Sequence, residues 1–387
     1  MYRLSRSGAI RYNRAGDHRQ AWAPGHVNSG KSDSAPAFRD GQSAPLVWVL
    51  AGHRHGDNVQ LQALAEALGW PYVEKRLVWR APLPRWTPLY GRAATLKFLT
   101  DDSRAALRAP WPDVVLSIGW RSVPVARWIK DRTGAKLVHL GRPRAPLHVF
   151  DLILTTPQYR MPEAENVLHL AGPVTTLSAD ELSVASKRWE SRLHHLPRPW
   201  IAVLVGGDTP TLKFPLEAAC VLGEACNGIA MAENGSLLIA TSPRTSKAVI
   251  AKLKAAIKAP AFIFEWREET DNPYLAFLAL ADRFVVTNDS VSMTHEAALT
   301  GRPLEIFRLS ERKNRLHEAL RWFDRYMQSG NNVGARFYRN LIRAGLVYPA
   351  KTPDDYFETL LCSGRAAALG APRTAPDKTA RLSETER

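Results

Sequence analysis

No stretch of 18 consecutive apolar residues occurs in the chain, so no transmembrane helix is expected. No apolar segment follows the first arginines, so no secretory signal is expected either. Arg3, Arg6, Arg11 and Arg14 precede the first acid, Asp17, which faintly resembles a mitochondrial presequence; a disordered extension or an early start codon is the preferred reading. Cysteine is scarce, with only Cys220, Cys226 and Cys362. None forms a CxxC pair and the 220/226 spacing suits no common zinc site, so buried free thiols in a reducing compartment are expected, and no metal. GxSxG, HExxH and the Walker loop are absent, which removes several hydrolase and nucleotidase classes. GxGxxG is missing after either first strand, which argues against a nicotinamide dehydrogenase or epimerase. No zinc-finger, RNP-type or heptad-plus-basic pattern is present, so sequence-specific nucleic-acid binding is not expected.

What the chain does have is length, aromatics and positive charge. At 387 residues, with 45% hydrophobic content and 12 Trp, it can form about two ordinary domains. The formal charge is +15, and it is unevenly placed. Residues 76–144 carry 14 Lys/Arg against 4 Asp/Glu, and the first 44 residues carry 7 against 3. A basic first half fits an anionic substrate or contact with an anionic membrane surface.

Residues 1–44 are rich in Ser, Gly, Arg and Pro without periodicity and are read as a disordered basic tail. Order is expected from the apolar run 46–51, a buried parallel strand. A loop over 52–58 leads to a helix over 59–68, which Gly69 ends. Strands at 72–79, 114–118, 136–140 and 151–155 alternate with helices at 96–107 and 121–131. The segment 80–92 is a basic, aromatic loop. After a helix over 179–193 the pattern restarts, with strands at 200–205, 236–240, 261–264, 283–287 and 303–307. Helices are expected at 214–226, 246–256, 273–279 and 292–299, then at 312–327, 333–343 and 353–361. The fold expected is α/β: two Rossmann-like, doubly wound parallel-sheet domains facing a cleft. The first spans 45–180 and the second 197–330. The helices of 331–362 are expected to pack back on the first domain, and 363–387 to form a disordered tail.

The most informative segment is 285–307. A buried strand runs into Asn288-Asp289-Ser290, and a helix follows with Ser290 or Ser292 as its N-cap. Helix N-terminal amides suit a diphosphate. Glu296 lies four residues after Ser292, one beyond capping-box spacing, so capping does not explain it. It can instead accept bonds from two ribose hydroxyls; a surface glutamate on a well-capped helix is the alternative. Gly206 and Gly207 directly follow the first strand of the same domain, where their amides can approach phosphate, or simply make a tight turn. The loop at 241–245 shares that edge, with Thr241 and with Arg244 as a bidentate phosphate partner or an ordinary exposed arginine. Tyr274, after Asn272-Pro273, is read as packing.

In the first domain the loop after the first strand holds Gly52, His53, Arg54, His55, Gly56, Asp57, Asn58 and Gln60. His53, His55 or Asp57 can serve as the general base that takes the proton of an acceptor hydroxyl. Gly119-Trp120-Arg121-Ser122 and Gly141-Arg142-Pro143-Arg144 bring Arg121 and Arg142 to the same sheet edge.

These residues carry a family resemblance. Gly52-His-Arg-His-Gly-Asp-Asn-Val-Gln60, Val203-Leu-Val-Gly-Gly207, Asn272-Pro-Tyr274, Thr287-Asn-Asp-Ser-Val-Ser-Met293 and Glu296-Ala297 resemble the family named for the plant mitochondrial-fission protein "elongated mitochondria". Many of its bacterial members are described as glycosyltransferases. The resemblance covers roughly residues 46–330, in order. It implies a GT-B fold, with the nucleotide-sugar held by the second domain and the acceptor by the first. Carried over, Ser290, Ser292 and Glu296 bind phosphate and ribose, Gly206 and Gly207 lie beside the diphosphate, and Thr241, Arg244, Asn288, Asp289 and Met293 are expected to join them in binding the nucleotide-sugar. Two positions depart from the family: Arg54 stands where relatives often have lysine, and Arg267-Glu-Glu-Thr-Asp271 replaces a loop that often contains glycine.

The expected function is transfer of a sugar from a nucleotide diphosphate sugar to a hydroxyl of a cell-envelope or membrane-linked acceptor, with no metal or cofactor required. The expected location is the cytoplasm or the inner-membrane surface. The alternative is a non-catalytic adaptor of the mitochondrial fission type, on the mitochondrial outer surface with a protein partner.

Overall fold

The computed structural model describes residues 27–28, 44–80, 90–175, 177–267, 271–311, 315–349 and 351–371. They divide into two compact units: residues through 176 with 316–351, and residues 177–315 with those from 352 on.

The first unit runs β1 (Val27–Asn28), β2 (Val47–Ala51), α1 (His55–Leu68), β3 (Tyr72–Arg76), α2 (Asp101–Ala105), β4 (Val114–Ile118), α3 (Gly119–Thr133), β5 (Lys136–Leu140), β6 (Leu152–Thr155) and β7 (Val167–His169). The sheet order is β1-β3-β2-β4-β5-β6-β7, parallel throughout except for β1. The apolar run of β2 is buried at every residue, as a central strand with both faces covered requires. Successive side chains point to opposite faces. Trp48 and Leu50 therefore join the core beneath α3, while Val47 and Val49 join the core beneath α1. Gly69 and Gly134 end α1 and α3 in the left-handed conformation, at φ 67° and 73°, a backbone state glycine adopts at no steric cost.

The second unit runs α4 (Ala179–Leu193), β8 (Trp200–Val205), β9 (Leu212–Lys213), α5 (Leu216–Ala232), β10 (Ser236–Thr241), α6 (Lys247–Ala256), β11 (Ala261–Phe264), α7 (Tyr274–Leu280), β12 (Arg283–Thr287), α8 (Val291–Leu299), β13 (Leu304–Phe307) and β14 (Ser310–Glu311). Two helices, α9 (Arg315–Ser329) and α10 (Val333–Arg343), fall to the first unit, and α11 (Pro353–Cys362) and β15 (Ala367–Ala368) return to the second. The main sheet is parallel with order β11-β10-β8-β12-β13-β15. Ile201, Val203 and Val205 of β8 face the core under α5 and α6, and Trp200, Ala202 and Leu204 face the core built with α4, α7, α8 and α11.

Each sheet is thus Rossmann-like and doubly wound, as the alternation of runs implies. Several boundaries differ from expectation. Helix α1 begins at His55, so His55, Gly56, Asp57 and Asn58 are helical rather than loop. The tail expected from 363 instead carries β15, which pairs with Glu305 and Ile306 of β13. Val27 and Asn28, expected within a disordered tail, pair with Val73 and Tyr72. The division near 330 also differs, because α9 joins the first unit and α11 the second. The rest of 1–43, residues 81–89 where a basic loop is expected, residues 268–270 of the 267–271 segment, and the residues beyond 371 lie outside the described residues. All three cysteines are free, but only Cys226 is buried and Cys362 is exposed, contrary to the expectation of three buried thiols. Among the described residues no helix is long and apolar enough to cross a membrane.

Candidate functional site

In a doubly wound sheet the carboxyl ends of the two strands at which the winding reverses leave a crevice between their loops. In the second unit those strands are β8 and β12. Their loops meet through side-chain hydrogen bonds. The Gly206 amide donates to Thr287 Oγ1 at 2.8 Å, and the Gly207 amide donates to Asp289 Oδ2 at 2.9 Å. Thr287 Oγ1 donates to Asp289 Oδ1 at 2.6 Å, and Arg244 Nη2 donates to Asp289 Oδ2 at 2.6 Å. Thr245 Oγ1 closes the ring by donating to the Gly206 carbonyl at 2.6 Å.

The glycines are required by crowding. A Cβ on Gly206 would lie 2.0 Å from the Asp289 carboxylate, and one on Gly207 2.0 Å from the Arg244 carbonyl oxygen. Both amides therefore donate inside the protein, and what the pair permits is close approach of the Asp289 and Arg244 segments. The Asp289 side chain has no exposed surface, whereas that of Arg244 is 46% exposed. Burial pushes the Asp289 carboxyl above its usual range, against the opposing pull of Thr287, Gly207 and Arg244. Arg244 is thus held from below by a buried anion and presents its outer edge to solvent.

Ser290 is the N-cap of α8, with its side chain accepting from the Met293 amide at 3.4 Å. Ser292 lies inside the first turn, half-buried. With Ser290 as cap the capping-box position is Met293, so Glu296 is not a capping residue. Its carboxylate accepts instead from the Tyr274 hydroxyl. Burial first, then the Glu296 charge and hydrogen bond, hold the Tyr274 phenol protonated well above its usual range. The Tyr274 amide donates to Asn272 Oδ1 at 3.0 Å, which seats Tyr274 at the start of α7. Asn288 pins a neighbouring loop, accepting from the Leu309 amide at 2.8 Å. Thr241 Oγ1 accepts from the Trp266 amide at 2.9 Å.

In the first unit the winding reverses between β2 and β4. There the loop after β2 brings His53 within 3.4 Å of Nη1 of Arg121, which lies in the first turn of α3 and not in the strand-end loop expected at 119–122. Partial burial, then Arg121 and Arg54, lower the His53 pKa, so the ring is neutral near pH 7 and able to accept a proton. Asp57 lies in the first turn of α1, and burial raises its carboxyl against Arg54, Lys351 and His53. The His55 side chain lies outside the described residues. Asn58 is structural: it accepts from the Gly52 amide at 2.8 Å and donates to the Gly52 carbonyl at 2.9 Å, clamping the loop. Gln60 donates to the Gly56 carbonyl at 3.3 Å. Gly56 faces open space, so nothing near it demands a glycine. Arg142 follows β5; its Nη1 is shielded from water and has no hydrogen-bond partner among the described residues. Burial, then Arg144, lowers its pKa to about 10. Among the described residues no cluster of three His, Cys, Asp or Glu side chains could hold a metal ion.

The structure therefore joins Gly206, Gly207, Arg244 and Asp289 in one network, joins Glu296 to Tyr274, and joins His53 to Arg121. Sequence reasoning missed Thr287, Thr245 and the Tyr274–Glu296 pair. A threonine closing a buried strand beside a glycine loop was the available signal for Thr287. Nothing local links Tyr274 to Glu296, 22 positions apart.

Two Rossmann-like doubly wound units, with polar networks at the winding reversals, define the class to which the chain belongs. Within it, the chain belongs to the mitochondrial fission ELM1 family, whose signature matches residues 55–328. It is 26% identical over 301 residues to the uncharacterized protein RP120 of Rickettsia prowazekii, covering 67% of this chain and 82% of that protein. It is 24% identical over 237 residues to the mitochondrial fission protein ELM1 of Arabidopsis thaliana, covering 55% of each. Similar solved structures include S. aureus MnaA with UDP, at TM-score 0.42 and 11% identity over 82% of this chain and 95% of that one. Another is the UDP-GlcNAc 2-epimerase of Methanocaldococcus jannaschii, at TM-score 0.44 and 13% identity over 82% and 99%. At these scores the strand orders themselves, and not the likeness, define the class.

Proposed function

We propose that the chain is a GT-B-type glycosyltransferase whose second unit binds a nucleotide diphosphate sugar. The observation that carries this reading is Arg244, fixed by the buried Asp289 and half exposed, at the winding reversal where the N-terminus of α8 also lies. A diphosphate would sit against the outer edge of Arg244 and the first-turn amides of α8. The Gly206 and Gly207 amides would shape the site without touching the ligand. Glu296, oriented by Tyr274, would accept from the ribose hydroxyls.

Chemically, the acceptor oxygen would bond to the anomeric carbon as the bond from that carbon to the diphosphate oxygen breaks. The negative charge on the leaving diphosphate would be met by a prearranged cation and helix amides. The acceptor proton needs a base, and His53 and Asp57 are the first unit's candidates. The acceptor itself would be a hydroxyl of a cell-envelope or membrane-linked molecule.

The test is titration calorimetry with UDP- and GDP-sugars. Glu296→Ala is expected to weaken binding by about tenfold or more, the worth of one or two charge-assisted hydrogen bonds. Unchanged affinity would remove Glu296 from the site. Family membership supports a second reading, a non-catalytic adaptor related to the Arabidopsis fission protein. An adaptor has no use for a nucleotide-sugar, so the same titration separates the two.

A further inference from the structure

Helices α9 and α10 are mounted with a polar residue inward and an apolar row outward. Asp324 of α9 is 3% exposed. It accepts from Tyr338 Oη at 2.8 Å and from Gln328 Nε2 at 2.9 Å, and Arg160 Nη1 lies 3.6 Å away. Leu320, Trp322, Phe323 and Tyr326 of α9, with Val333 and Phe337 of α10, stand between 45% and 73% exposed. Trp322 and Tyr326 stack at 5.6 Å with planes 8° apart, one turn apart on the helix. Val333 and Phe337 are likewise one turn apart, so they share a face. Single exposed apolar residues are ordinary, but six on two consecutive helices, four of them aromatic, mark an interaction surface.

The charge on these two helices is predominantly positive. From 315 to 343 the chain has Arg315, Arg321, Arg325, Arg336, Arg339 and Arg343 against two acids, the exposed Glu318 and the buried Asp324. A second copy docking through the same face would bring these arginines against each other. An anionic bilayer surface complements both features: the arginines meet lipid headgroups, while Trp and Tyr lie at the boundary between headgroup and acyl chain.

We infer that the exposed face of α9 and α10 docks the protein on an anionic lipid surface. This is independent of the sugar-transfer reading, and it places the contact on these two helices rather than on the basic residues of 76–144.

The full chain is to be floated with phosphatidylglycerol-rich vesicles and, separately, with vesicles of phosphatidylcholine alone. The wild-type protein is expected to float with the first and not the second. Trp322→Ser/Phe337→Ser is expected to lose about tenfold or more in partitioning, because the apolar contact area is removed. Arg325→Glu/Arg336→Glu, which leaves the apolar residues in place, is expected to abolish binding, so the result does not depend on the first variant folding. Met231→Ser, an exposed apolar position in the second unit, is expected to float as wild type. The inference is overturned if the wild-type protein stays soluble with both vesicles, or if both double variants float undiminished. It is equally overturned if the apolar double variant abolishes a dimer rather than vesicle binding.

Discussion

Asp289 carries its carboxylate with no exposed side-chain surface, held by the Gly207 amide, a threonine hydroxyl and an arginine. A methyl group on Gly206 would collide with that carboxylate, which has no room to withdraw. Gly206→Ala is therefore expected to destabilise the second unit by about 3 kcal/mol, the upper range for overpacking. Urea unfolding measures it, and a variant as stable as wild type would show that the network yields. Two buried histidines make a second test. Burial lowers His139 to about 3 and His295 to about 4, where His295 Nδ1 lies 2.9 Å from the Tyr356 hydroxyl. The unfolded chain, with histidine near about 6.5, then binds more protons as pH falls below that value. Their contribution is complete above about pH 6.5 and is lost toward pH 4, amounting to about 2 kcal/mol per ring by pH 5. Urea midpoints at pH 7 and pH 5 check this, with His295→Gln flattening the dependence; equal midpoints for the wild-type protein would contradict it. At this scale the sequence located residues better than it explained them. The turn at 288–290 was legible as a helix entry, but three donors to Asp289 come from other loops or strands, and two lie more than forty positions away.

Elements whose pattern is long and apolar were legible. The strands β8 and β12 and the helices α4 and α10 coincide with the runs that predict them, because burial on both faces or along one stripe fixes their limits. The two-residue strands β1 and β15 were not, since two residues carry no periodicity and their partners are distant. The start of α1 was misplaced because His-Gly-Asp-Asn reads as turn chemistry, while Asn58 folds back on Gly52 and lets the helix begin four residues earlier. Helix α11 closes the second unit's core through Tyr356, Phe357 and Leu360, all buried. Phe357→Ala is expected to cost about 3–5 kcal/mol and to expose the α8 face. Faster amide exchange in α8 would register this, and unchanged protection there would show that α11 does not hold it.

At the scale of the whole molecule, each unit places a polar network at its own winding reversal, and each network contains an arginine: Arg121 in the first, Arg244 in the second. That placement was legible, because strand-end loops of a parallel sheet fall on one edge whatever their sequence. The division of helices between units was not, since it depends on which core α9 and α11 cover. The central claim is that the second unit binds a nucleoside diphosphate sugar through Arg244. The most direct measurement is a thermal-shift series of wild type and Arg244→Ala against nucleotides and nucleotide-sugars. At one hundred times its dissociation constant, the right ligand adds about 2.7 kcal/mol to the wild-type protein, a shift of about 5–10 °C. Arg244→Ala removes the cation and uncovers the Asp289 carboxylate, so its shift is expected to vanish. A series in which no nucleotide-sugar stabilises the wild-type protein, or in which Arg244→Ala responds equally, would contradict the account.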